Sequence, residues 1–356
     1  NITATPFICT TTKGIRRRLD TVTFPEEARY ADLEYAGKAY RIFADDLKKS
    51  FTTRACIFGT LHVEATELLM DLTEETGIKA YIGKVNMDRN GPSDLQEESA
   101  ESSARATVRW LEDTRGKYRN VRPILTPRFI PSCSDELMTE LSVIQKNYRL
   151  PVQSHLSENP GEAAWVKELC PDSEFYGAAY DRFGLFGGEG CPTIMAHCVH
   201  SSEEEIDLMR QRGVYVAHCP QSNTNLSSGI APVRRFMEEG LNMGLGTDIA
   251  GGHSLSMLRT AADAVQVSKL RWRLADDSQK ALSFAEAFYL ASAGGGSFFG
   301  STGAFLEGYD FDALILDDSF WAYPGTLTAG ERLERLAYIG DERCIAGKYV
   351  CGEKLF

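Results

Sequence analysis

Histidines and carboxylates recur where apolar, β-branched runs end, and those are the residues able to do chemistry. His155 follows PVQS, His197 and His200 lie in IMAHCVH, His218 sits in VAHCP, and Asp248 closes GLGTD. Five of the six histidines fall between residues 155 and 253, so the pattern repeats over successive strands. A lone histidine on an apolar strand is most often a hydrogen-bonded core residue; the repetition favours a divalent-metal centre. Imidazole and carboxylate donors together suit zinc, with iron as the second choice. Glu158 in SHLSEN can stand beside such a metal without ligating it and move protons between a water and a leaving nitrogen. Its plainer reading is a first-turn charge ahead of the helical NPGEAAWVKEL. Arg128 in TPRFIPSCS offers paired donors to a substrate carbonyl, or a salt bridge to a neighbour. His62 in GTLHVEA is read as ending the first detectable strand, facing the mouth in a supporting role. His253 in AGGHSLSM is read as loop wall, where glycines allow close backbone approach.

These side chains need elements that bring them together. Strand character recurs at 52–60, 79–85, 121–129, 150–157, 192–200, 214–220 and 242–248. Between these runs lie segments with helical spacing, such as EATELLMDLTEETG, DELMTELSVIQKNYR, SSEEEIDLMRQRG and APVRRFMEEG. The alternation predicts a parallel sheet with crossover helices, and strand ends that share one mouth. A (β/α)8 TIM-like barrel needs eight strands, and seven are found. Residues 1–22 are the only stretch left for the first strand, and ITATPFICT there is interrupted by Pro6. After residue 296 the texture changes to short strands and glycine turns, a small β appendage. The expected division is an atypical N-terminal segment at 1–22, a catalytic barrel at 23–300 and a C-terminal β segment at 301–356.

Composition narrows the class. The 356 residues carry 38 Lys+Arg against 50 Asp+Glu, a net charge of -12 that opposes binding to nucleic acid or anionic membranes. With 43% hydrophobic and 25% charged residues the chain reads as globular, not disordered or fibrous. No apolar run approaches a membrane span. Nine dispersed cysteines without a C-x-x-C pair read as small core residues in a reducing compartment, so a soluble, cytoplasmic protein is expected. G-x-S-x-G, Walker A, G-x-G-x-x-G and the H-x-E with P-C-x-x-C deaminase signature are all absent, which removes serine-hydrolase, kinase, dinucleotide and cytidine-type deaminase readings.

The stretches TFPEEARY, FGTLHVEAT, KVNMDRNGP, TPRFIPSCS, PVQSHLSEN, MAHCVHSS, AHCPQSN, GLGTDIAGGHS and ERLERLAYIGDERC resemble the amidohydrolase superfamily and, within it, the guanine deaminases. The resemblance runs from about residue 23 to the C-terminus. It implies one zinc per subunit, hydrolysis of guanine to xanthine and ammonia, and a homodimer. It further implies His155 and Asp248 as metal ligands, Glu158 as proton carrier, and Arg128 and Phe129 as purine-holding residues. His155 and Glu158 would also touch substrate, His197 would orient water or substrate, and Asp248 would take a proton from the water. The family's H-x-H pair does not occur in the sequence; backward alignment from Thr23 places it just before Asn1. A fragment whose TTTKGIRRRLD stretch lies outside the native reading frame is therefore expected, binding zinc weakly. A metal-free purine-binding scaffold, and an enzyme for a pterin, a triazine or cytosine, are the alternative readings.

Overall fold

The computed structural model describes residues 19–356. The expected first strand lies outside the described residues, as do the three consecutive arginines. Nine short strands form the barrel wall: β1 (Arg54–Phe58), β2 (Lys79–Gly83), β3 (Val85–Asn86), β4 (Val121–Pro123), β5 (Thr126–Pro127), β6 (Val152–Leu156), β7 (Thr193–His197), β8 (Tyr215–His218) and β9 (Asn242–Leu245). They pair in parallel as β1-β2-β4, β3-β5 and β6-β7-β8-β9, and a parallel bridge between Leu125 and Val152 joins the halves. Two of the expected strands are thus broken, one at Lys84 and one at Ile124–Leu125, and seven strand positions result. Among the described residues, β1 and β9 pair with no strand on their outer sides. A cavity of about 830 Å³ is lined from β1 by Ala55 and Ile57, from β7 by Ala196, from β8 by Ala217 and from β9 by Gly244, and it reaches Asp248.

Helices cover the outside: α1 (Phe24–Ala28), α2 (Leu33–Lys49), α3 (Val63–Glu74), α4 (Ala100–Asp113), α5 (Asp135–Tyr148), α6 (Pro160–Leu169), α7 (Tyr176–Asp181), α8 (Glu203–Arg212), α9 (Pro220–Asn225), α10 (Val233–Glu238), α11 (Met257–Leu274) and α12 (Phe284–Tyr289). Their starts follow from capping chemistry. Ser202 accepts the Glu205 amide and three glutamates fill the first turn of α8, while Gly213 ends it at φ 66°. Leu69 and Met70 of α3, Ile82 of β2, Met195 of β7 and Phe236 of α10 are all fully buried in one core. Each such side chain contributes roughly 1.5–3 kcal/mol of apolar burial. No helix among the described residues is long and apolar enough to cross a membrane.

The tail differs from its sequence reading. Strands β10 (Ala313–Leu316), β11 (Ile345–Val350) and β12 (Glu353–Lys354) form the expected small antiparallel sheet, but helix α13 (Ala329–Ile339) interrupts it. Thr328 and Glu331 close a capping box at its start, a signal present in the sequence and outweighed there by glycines. Two polar pins hold the sheet to the barrel. Lys348 is fully buried and donates to the carbonyls of Leu47, Lys48 and Ser50 at 3.2, 3.0 and 2.9 Å, a cation at the C-terminus of α2. Arg54 of β1 grips Asp312 through Nε at 2.7 Å and Nη2 at 3.2 Å. The eight cysteines among the described residues are free, in line with their reading as core residues.

Candidate active site

Parallel pairing fixes which side chains meet. His155 stands opposite Ala196 and Leu156 opposite His197, so the two imidazoles lie on adjacent strands one step apart. Their rings stack at 5.5 Å between centroids with planes 16° apart. His155 Nδ1 lies 2.7 Å from the Arg128 carbonyl, which can only accept; the proton therefore sits on Nδ1 and the Nε2 lone pair is open. Burial, and then the charge of His197, push His155 down to about 3, which keeps it a neutral, ligand-competent imidazole. His197 donates from Nδ1 to Asn223 Oδ1 at 2.9 Å and places Nε2 3.8 Å from Glu158 Oε2. Burial opposes its protonation, but the charges of Glu158 and Asp248 outweigh that and raise it above the ordinary imidazole value.

Glu158 lies outside the helix it was weighed against, because Asn159 caps α6 by accepting the Glu162 amide. Its carboxylate is buried and accepts Ser228 Oγ at 3.0 Å. Asp248 completes the group: its charge acts on both His155 and His197. The loop behind it admits no larger residues, since a Cβ at Gly251 would lie 2.6 Å from Asp248 Oδ2 and 2.5 Å from Ser222 Oγ. Five of the nine non-glycine residues with positive φ among the described residues are Ser157, His197, Cys198, Asp248 and Ala250. Left-handed backbone therefore concentrates at these strand ends.

The wall for a flat ligand is aromatic. Phe58 lies 4.8 Å from the His155 ring, and Phe129 meets His155 edge-on at 6.5 Å and Trp165 at 6.0 Å. Arg128 is buried, and both its terminal nitrogens pair with Glu27 of α1, Nη2 to Oε1 at 3.0 Å and Nη1 to Oε2. Its guanidinium lies 5.1 Å from the Phe24 ring. Glu27 escaped the sequence reading; a carboxylate next to Glu26 in TFPEEARY carries no signal until the fold brings α1 beside Arg128.

The remaining histidines separate. His218 is buried, and neither ring nitrogen has a hydrogen-bond partner among the described residues. His200 bonds the Ser228 carbonyl at 2.6 Å, and so braces the residue that holds Glu158. His62 is not a strand end, because β1 stops at Phe58 and His62 is the N-cap residue of α3. His253 lines the loop after Asp248, with its amide donating to Gln221 Oε1 at 3.2 Å. Among the described residues no three or more His, Cys, Asp or Glu side chains are grouped to hold a metal ion. The open His155 Nε2 and the Asp248 carboxylate fit two donor positions of such a site by their chemistry.

A parallel barrel with imidazoles, a carboxylate pair and an aromatic wall at its strand ends is the frame of a barrel hydrolase. The chain belongs to the amidohydrolase family, whose model matches residues 12–355. It is 39% identical over 345 residues to a guanine deaminase of Dictyostelium discoideum, covering 95% of this chain and 76% of that protein. It superposes with a TM-score of 0.94 and 47% identity on the guanine deaminase of C. acetobutylicum with guanine bound in its active site, over 99% of this chain and 83% of the other. A zinc-bound adenosine deaminase from Xanthomonas campestris shares the fold at 20% identity, with a TM-score of 0.81 over 97% of this chain and 75% of that one.

Proposed function

We propose that this chain hydrolyses guanine to xanthine and ammonia. The observation that carries the reading is the convergence of His155, His197, Glu158 and Asp248 from separate strand ends beside an aromatic wall, in a chain similar to guanine deaminases. The reaction consumes one water, forms a C–O bond at the carbon bearing the exocyclic amine, and breaks that C–N bond. His155 and Asp248 would hold a divalent metal, zinc ahead of iron, and a bound ion supplies a Lewis acid and a more acidic water. Glu158 holds the proton taken from water and passes it to the departing nitrogen. His197, with Nε2 3.8 Å from Glu158 Oε2, would orient the water or the substrate. Phe129 supports the purine face, and Arg128 directs positive charge to the ring carbonyl from a guanidinium held by Glu27.

Ammonia release from guanine, adenine, cytosine and a pterin, measured on zinc-loaded protein, tests the reading. Guanine is expected to be the preferred substrate, and ammonia from another ring alone would reject it. A metal-free purine-binding scaffold is the second reading. Guanine binding without turnover at saturating zinc would support that instead. Replacing His155 or Asp248 by Ala is expected to lower bound zinc per chain, read by atomic absorption after dialysis; unchanged zinc would remove that residue from the ligand set. A cytoplasmic homodimer is the setting implied by family resemblance, checked by sedimentation and by fractionation.

A further inference from the structure

Two buried carboxylates next to the site have no lysine or arginine partner among the described residues. Glu162 and Glu205 are each 1% exposed. Glu162 Oε2 accepts the Glu158 amide at 3.1 Å, and its Oε1 accepts the Tyr176 hydroxyl at 2.7 Å. Glu205 Oε2 accepts Ser157 Oγ at 2.8 Å, and its Oε1 accepts the Gly177 amide at 2.7 Å. Consecutive residues of the strand-end loop, 157 and 158, are thus tied through two separate carboxylates to consecutive residues of one helix start, 176 and 177. Ser157 sits at φ 46°, a conformation that a serine does not hold without support.

Burying a carboxyl group without a lysine or arginine partner is costly, and burial raises both side chains above the ordinary carboxylate range, so neither residue is explained by general stability. Resting on the reading that Glu158 carries the proton, we propose that Glu162 and Glu205 are positioning residues: paired carboxylate bridges that fix the 157–158 loop on α7 and so aim the Glu158 carboxylate. Each oxygen of each bridge accepts a named donor, so the loop is located along two directions.

The test compares Glu162→Leu, Glu205→Leu, Glu162→Gln and Glu205→Gln in the zinc-loaded full chain. It reads kcat and KM for guanine and hydrogen exchange of the amides at 157–159. The Leu variants are expected to lose about 10–100-fold in kcat with KM within about two-fold, and the Gln variants to stay within about three-fold, because one amide oxygen still accepts the backbone N–H. Exchange at 157–159 should be faster in the Leu variants. Unchanged kcat, or a kcat loss without faster exchange there, would overturn the proposal. Should the Leu variants not fold, Ser157→Ala removes one bridge bond alone; faster exchange at the Glu158 amide supports the proposal and wild-type exchange refutes it. If the wild-type protein releases no ammonia from guanine, the exchange measurements still decide the bridges while the catalytic reading alone fails.

Discussion

Glu158→Gln is expected to lower kcat for guanine by about two to four orders of magnitude, the usual worth of a positioned proton carrier, while zinc content stays as in the wild type. The geometry explains why the two readouts separate. Gln keeps an oxygen for Ser228 Oγ and keeps the backbone amide that Glu162 accepts, so the loop stays in place. It cannot take up a proton at neutral pH, and it removes the negative charge that faces His197 Nε2 at 3.8 Å. His197 should then titrate lower than in the wild type, because the largest of the carboxylate charges raising it is gone. Turnover within ten-fold of wild type, or loss of zinc along with activity, would assign the proton transfer elsewhere.

Glu27→Ala is expected to destabilise the fold by about 3–5 kcal/mol, read as a shift in urea unfolding, because it leaves the Arg128 guanidinium buried without its counter-charge. Both side chains are 5% exposed, so water cannot replace the lost carboxylate. Replacing both residues by Met should cost much less than the single change, since no charge is then stranded. The effect reaches the site as well: the Arg128 carbonyl fixes the His155 tautomer at 2.7 Å, and its backbone amide holds the Asn86 carbonyl at 3.1 Å. KM for guanine should therefore rise in Glu27→Ala even under conditions where it stays folded. A destabilisation below about 1 kcal/mol, the range of exposed pairs, would show that solvent reaches Arg128.

Much of this arrangement was legible from local patterns. Hydrophobic runs ending in His155, His197 and Asp248 announced both the strands and the shared mouth, because parallel strands must all present the same end. Helix starts such as Ser202 with Glu203–Glu205 were equally plain. What stayed hidden depends on contacts remote in sequence. The pairing of Glu27 with Arg128 spans 101 positions, and the bridge from Glu205 to Ser157 spans 48. Neither has a local signature, since a glutamate in the first turn of a helix is ordinary surface chemistry until the fold buries it. Gly83 shows why strand lengths were overestimated: its site lies against Thr126 and the Ile124 carbonyl, and the strand is interrupted at Lys84 where an unbroken one was expected.

The left-handed residues at 157, 197, 198, 248 and 250 set a limit on how this enzyme can be hardened. Each such conformation costs of order 1–3 kcal/mol, which the surrounding barrel must absorb. Selecting variants for heat tolerance would find its easiest gains by relaxing those bends, and every gain of that kind would blunt turnover. Durable versions should instead be sought among substitutions far from the mouth, on the outer faces of the helices.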